Sequence, residues 1–178
     1  MLFRSVGCRV VPIGDEGEIC ARGYQRMIEY LDMPEETATT IDAEGWLHTG
    51  DLGVMDSRGY VTVTGRLKDM IIRGGENIYP REIEEVLREH PAIADAAVLG
   101  ERDPHWGEAV AAVLQLEPES APPGLAELRD FLRAQLAPHK TPASWYVTAG
   151  LPTNAMGKLQ KFRLREQIQA GQLQALHS

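Results

Sequence analysis

Few residues in this chain have types and spacing that could do chemistry. Asp51 follows a Thr-Gly pair at the end of GWLHTGD (45–51). A carboxylate after such a turn can accept hydrogen bonds from two vicinal hydroxyls, as on a ribose, or can be a plain exposed turn aspartate. Two successive glycines, Gly74 and Gly75, let the backbone take positive φ and approach a ligand without a Cβ in the way. They can equally form a tight turn that joins a strand to a helix. Lys158 ends a glycine-containing loop, PTNAMGK (152–158), where a lysine by itself reads as a surface charge. Arg66 and Lys68 stand at a change of composition, as solvated linker charges or as parts of a hinge in which a few torsions change. Trp46 reads as packing, and Glu76 and Asn77 as local caps or pairs. His48, His90, His105, His139 and His177 show no metal-ligand spacing, so no metal site is expected. Ser5, Ser57, Ser120 and Ser144 lack a nucleophile-elbow context.

The elements that must position these residues fall into two blocks. Residues 6–13 and 17–22 read as short strands around a turn at 14–16. Pro34-Glu35-Glu36 signals a helix start, with proline first and acids in the first turn. Residues 45–51 read as a loop, and 52–55 and 60–64 as a hairpin around Asp56-Ser57-Arg58-Gly59. After Gly65 the character changes. A short strand (70–72) runs into the two glycines, and Pro80 opens a helix over 80–90 with Ile83, Val86 and Leu87 on one face. Apolar strands follow at 94–99 and 108–116, separated by a polar turn. A second amphipathic helix covers 125–136, a third strand 145–147, a loop 152–159, and a terminal helix 162–176.

Together these predict an α+β fold. Residues 1–66 form a small β-rich remnant of a larger domain, since four short strands bury little surface alone. Residues 67–178 form a compact unit with a small sheet and about three helices covering one face.

The composition is that of an ordinary globular protein, with 43% hydrophobic and 25% charged residues among 178. A formal charge of −8 argues against sequence-independent nucleic-acid binding, which needs Lys and Arg against phosphate. No apolar run is long enough to span a bilayer, and the first residues do not read as a signal peptide. A cytoplasmic location is therefore expected, with Cys8 and Cys20 as thiols rather than a disulfide.

Three segments, GWLHTGD (45–51), GRLKDMIIRGGENIYPREIE (65–84) and PTNAMGK (152–158), resemble the adenylate-forming superfamily of acyl-CoA synthetases, luciferases and peptide-synthetase adenylation domains. The resemblance runs from about residue 6 to the last helix, leaving residues 1–5 outside it. It implies that 67–178 is the C-terminal lid domain of an ATP-dependent acid–CoA ligase. It further implies that Lys158 is the catalytic lysine, that Asp51 and Arg66 bind nucleotide, that Lys68 is the hinge, and that Gly74 and Gly75 line the coenzyme A tunnel. Lys161, Arg163 and Arg165 would meet the coenzyme A 3′-phosphate or form a solvated helix face. The family's phosphate loop, adenine pocket and acyl pocket are not found in these 178 residues. ATP, coenzyme A and Mg²⁺ are the implied cofactors, with the Mg²⁺ ligands outside the chain. The 178 residues alone are expected to be inactive, with possible self-association through the β-rich part. The segment 70–84 is closest to the acyl-CoA synthetase version, which implies a fatty, cyclic or aromatic acid. A stand-alone, non-catalytic lid-like module that binds a partner or coenzyme A is the other reading.

Overall fold

The computed structural model describes residues 2–4, 9–118 and 120–176, with only the backbone of Leu2. The chain folds as two compact units, Met1–Lys68 and Asp69–Ser178. Among the described residues no helix is long and apolar enough to cross a membrane.

The first unit is a four-stranded antiparallel sheet in chain order: β1 (Leu2–Arg4), β2 (Glu16–Ala21), β3 (Leu47–Met55) and β4 (Val61–Arg66). A short helix, α1 (Pro34–Thr40), starts on its proline with Glu35 and Glu36 in the first turn, where acids suit the helix dipole. Two expectations change here. The first strand lies at the very start, opposite Glu18–Cys20, whereas of the expected strand at 6–13 Val10 makes one isolated bridge to Arg4. Residues 5–8, Cys8 among them, lie outside the described residues. The segment 47–51, expected as a loop, belongs to β3. Its loop-like composition has a physical source: Glu18 pairs with Leu52 and Cys20 with His48, so Thr49, Gly50 and Asp51 together face Ile19 alone. This bulge lifts three residues out of the ladder with β2, while Asp51 still pairs with Arg66 on β4.

The second unit is built on a six-stranded mixed sheet. Its strands are β5 (Ile71–Arg73), β6 (Glu76–Ile78), β7 (Ile93–Asp103), β8 (Gly107–Leu116), β9 (Ser144–Thr148) and β10 (Gln174–Ala175). Strand β8 is the hub, antiparallel to β7 and parallel to β9. A parallel pair needs a crossover, and α3 (Leu125–Arg133) supplies it. The near-continuous apolar run of β8 marks a strand buried on both faces. Val110, Ala112 and Leu114 join one cluster with Ile83 and Leu87 of α2 (Pro80–Arg88) and Leu128 and Leu132 of α3. Ala111 and Val113 join the other, beneath Leu164 of α4 (Lys161–Gln169).

Helices therefore cover both faces of this sheet, not one. The expectation missed this because α4 is mostly polar and sends only Leu164 fully into the core. Nor does the last helix reach 176. It ends at Gln169, Gly171 turns the chain at φ +65°, and β10 returns to pair with β9.

Candidate functional site

In the first unit the bulge of β3 is held at each of its residues. Thr49 Oγ1 donates to the carbonyl of Ile19 at 2.7 Å and accepts the N–H of Asp51 at 3.1 Å. Gly50 takes φ +70°, a conformation that favours glycine although a Cβ there would meet nothing. Its N–H, displaced from the ladder, donates to Glu18 Oε1 at 3.0 Å. Asp51 Oδ1 accepts a hydrogen bond from Arg66 Nε at 2.9 Å, in an exposed ion pair. The structure thus brings Asp51 and Arg66 together. Lys68 lies exposed in a single 3₁₀ turn, Leu67–Asp69.

Beneath the bulge runs a chain of ionisable groups that local spacing did not reveal. Glu18 Oε2 lies 2.7 Å from His48 Nδ1, and His48 Nε2 lies 3.4 Å from Asp42 Oδ2. Asp42 Oδ1 accepts the N–H groups of Trp46 (2.8 Å) and Glu44 (3.0 Å), and its Oδ2 takes a hydrogen bond from Arg4 at 2.9 Å. The hydrogen bond to Glu18 raises the His48 imidazole above its ordinary value, against the opposing effect of burial. The Trp46 N–H, with help from His48, Glu44 and Arg4, holds Asp42 below the usual carboxylate range. Trp46 packs with the guanidiniums of Arg22 and Arg4 over its ring, at 4.7 and 5.4 Å.

Cys20, a buried thiol, places Sγ 3.6 Å from the same His48 nitrogen, so Glu18, Cys20 and His48 bring three ligand-type atoms within 4.8 Å of one another. The geometry is that of a hydrogen-bonded pair rather than a metal cage. Two ligands about 2.0–2.1 Å from a tetrahedral ion stand roughly 3.3 Å apart, whereas Glu18 and His48 are at 2.7 Å.

In the second unit Lys158 ends a closed turn. Asn154 organises it: its Oδ1 accepts the N–H groups of Met156 and Lys158, both at 2.9 Å. The Asn154 N–H donates to the Lys158 carbonyl, and the Gly157 N–H to the Asn154 carbonyl. Gly157 takes φ +75° with open space around it, so backbone conformation rather than room calls for glycine. Leu151 and Leu159 pack on the second core cluster at the base, and Gln160 N–H closes onto Pro152 O at 2.8 Å. The Lys158 side chain projects exposed, with no ion pair to any described residue.

Three residues on, Lys161 is not part of a solvated face. Its Nζ lies 2.7 Å from the buried carboxylate of Glu84 and 2.9 Å from Val98 O, pinning the start of α4 to α2 and β7. Arg163 is exposed and Arg165 half-buried.

Gly74 and Gly75 form a two-residue hairpin turn between β5 and β6, with φ +59° and +88°, the positive pair a twisted hairpin prefers. They therefore join strand to strand, and only β6 leads on to the helix. At Gly74 a Cβ would stand 2.7 Å from the Trp106 ring, whereas at Gly75 it would meet nothing. Trp106 O accepts the Gly74 N–H at 2.8 Å, and Arg73 lies over the half-exposed indole at 5.1 Å.

Residues 82–158 match the family model of the AMP-binding enzyme C-terminal domain. The chain is 48% identical over 160 residues to a putative acyl-CoA synthetase of Bacillus subtilis (strain 168), covering 89% of this chain and 29% of that protein. It is 43% identical over 161 residues to a medium-chain fatty-acid–CoA ligase of Escherichia coli (strain K12), covering 90% of this chain and 28% of the ligase. The fold superposes on o-succinylbenzoate CoA synthetase from Bacillus subtilis, in complex with its acyl-adenylate intermediate, with a TM-score of 0.83. That match is 38% identical and covers 93% of this chain and 33% of the synthetase. The chain thus spans about three tenths of the length of the relatives it matches. It belongs to the adenylate-forming superfamily, and its residues 82–158 are that family's AMP-binding enzyme C-terminal domain.

Proposed function

We propose that this chain is the C-terminal part of a longer ATP-dependent acid–CoA ligase, with 1–66 as a β-rich piece of the large domain and 67–178 as its mobile lid. The observation that carries this reading is the Asn154-clamped turn that presents Lys158, because a rigid loop with an exposed ammonium suits charge developing on a phosphoryl group. In the first half-reaction a carboxylate oxygen attacks the α-phosphorus of ATP. The bond to pyrophosphate breaks, and an acyl-adenylate forms. Two anions must meet, and Lys158 stabilises the charge spread over the phosphoryl oxygens. Asp51 accepts from the ribose hydroxyls, and Arg66, already bonded to one of its oxygens, orients it and contacts the nucleotide.

In the second half-reaction the coenzyme A sulfur attacks the acyl carbon and AMP leaves. Lys68, in its 3₁₀ turn, is the hinge about which the lid rotates, and the Gly74-Gly75 turn then lines the pantetheine channel. Gly75 offers open backbone for this, while Gly74 carries Trp106. Mg²⁺, an oxygen-seeking ion that usually retains water and substrate phosphates, would be held by ATP and by residues outside this chain. The acid is fatty, cyclic or aromatic; its determinants lie outside these residues, and the enzyme works in the cytoplasm. The 178 residues alone are inactive.

ATP–pyrophosphate exchange tests the reading. In the longer polypeptide Lys158→Ala should lower acid-dependent exchange about a hundredfold or more. Unchanged exchange in that variant, or substantial exchange by the 178-residue chain itself, would overturn it.

A further inference from the structure

Glu18 poses a physical question. It stands on β2, half-buried, in a unit where apolar side chains would serve a sheet better, and burying a carboxylate costs several kcal/mol unless it is paired. Both of its oxygens are paired, on opposite sides. Oε2 faces His48 Nδ1 at 2.7 Å, and Oε1 accepts the Gly50 N–H at 3.0 Å. That N–H is the donor the bulge removes from the β2–β3 ladder, so Glu18 stands in for the missing carbonyl. His48 is in turn fixed from its far side by Asp42, which Arg4 and two backbone N–H groups hold in place. The contacts run in series from Arg4 to Asp42, His48 and Glu18, and the series ends on the amide that precedes Asp51. With the Thr49 hydroxyl bonded to Ile19 and Asp51, the turn is clamped on both sides of Gly50.

We infer that Glu18 and His48 are positioning residues for nucleotide binding: the pair clamps the Gly50 amide and so sets where Asp51 presents its carboxylate to the ribose. This rests on the assignment of Asp51 made above. Neither residue touches substrate; both act through the turn.

Two readings test it. In the 178-residue chain, Glu18→Ala should speed hydrogen exchange of the Gly50 amide by about tenfold or more, with ladder amides such as Val54 changing far less. In the longer polypeptide the same change should raise the KM for ATP about tenfold while kcat and the KM for the acid move less than about twofold. Glu18→Gln, which keeps an acceptor for Gly50, should recover most of the loss; a merely structural carboxylate would show no such split and no such rescue. Should Glu18→Ala not fold, His48→Gln takes its place, with the same two readings and a smaller rise. Unchanged Gly50 exchange, a fall in kcat at constant KM for ATP, or a Gln variant no better than Ala would overturn the inference. Asp51→Asn separates the two claims. If it leaves the KM for ATP unchanged, the ribose assignment and the nucleotide half of the inference fall together, whereas Gly50 exchange still decides the clamp.

Discussion

The two units of this chain are held together by different means. Among the described residues the first unit buries four hydrophobic side chains, Phe3, Ile19, Cys20 and Leu52, and the second buries nineteen. Conversely, nine of the large hydrophobics left exposed, among them Tyr24, Ile28 and Leu31, belong to the first unit and four to the second. The second unit is a sheet packed between helices. The first is a sheet stitched by a line of ionisable groups, from Arg4 to Glu18, that runs under the Asp51 turn. An apolar core is non-directional and tolerates small shifts, whereas a charge chain fixes particular atoms but depends on every link. The same contrast marks the candidate site: the Lys158 loop rests on Leu151 and Leu159, while the Asp51 turn rests on hydrogen bonds.

The sharpest break of this contrast lies in the second unit's own ionic link. Glu84, 7% exposed, bonds Lys161 and the Val98 N–H. Glu84→Ala strands Lys161 and should cost about 3–5 kcal/mol in denaturant unfolding; a cost near zero would mean that the helices alone fix α4. Leu87→Ala, a fully buried position under β7, should cost about 3 kcal/mol and unfold the second unit in preference to the first. The two glycines sharpen the picture further. Gly75→Ala meets only the backbone penalty of positive φ, about 1–2 kcal/mol, while Gly74→Ala adds a clash with Trp106 and should cost more. Equal melting temperatures for the two variants would contradict the packing described.

The smallest effect expected is a pH dependence confined to the first unit. Glu18 and Asp42 raise the His48 imidazole, Cys20 Sγ also faces it at 3.6 Å, and Arg4 bonds the far partner Asp42. Its folded value therefore exceeds the unfolded one, and the stability it contributes is full below about pH 6.5 and lost as pH rises through the folded value. His48→Gln should flatten that slope in first-unit melting while leaving the second unit's melting untouched.

What was legible in the sequence follows the same division. The second unit's strands and helices declared themselves, because Pro80 marks a helix start and the Ala-Val-Leu run of β8 can only be buried. Its ends were harder. The segment after Gln169 carries a helix-like composition, and pairing with β9 overrides it. Strand β6 is three residues long, too short for any period to show. In the first unit, GWLHTGD looked like a loop because a bulge has a loop's glycines, and only the register against β2 reveals the strand. Asp51 and Lys158 stood out through motifs. Glu18 and Asn154 did not, since one acts on a partner 32 positions away and the other through backbone amides within its own turn.

The central claim is that one chain carries two chemical faces, Lys158 for adenylation and the Gly74-Gly75 turn for thioester formation. The direct measurement is single-turnover kinetics of both half-reactions in the longer polypeptide, comparing Lys158→Ala with Gly75→Phe. Lys158→Ala should slow acyl-adenylate formation about a hundredfold or more and leave thioester formation from preformed acyl-adenylate nearly intact, and Gly75→Phe should do the reverse. Equal loss of both half-reactions in either variant would contradict it.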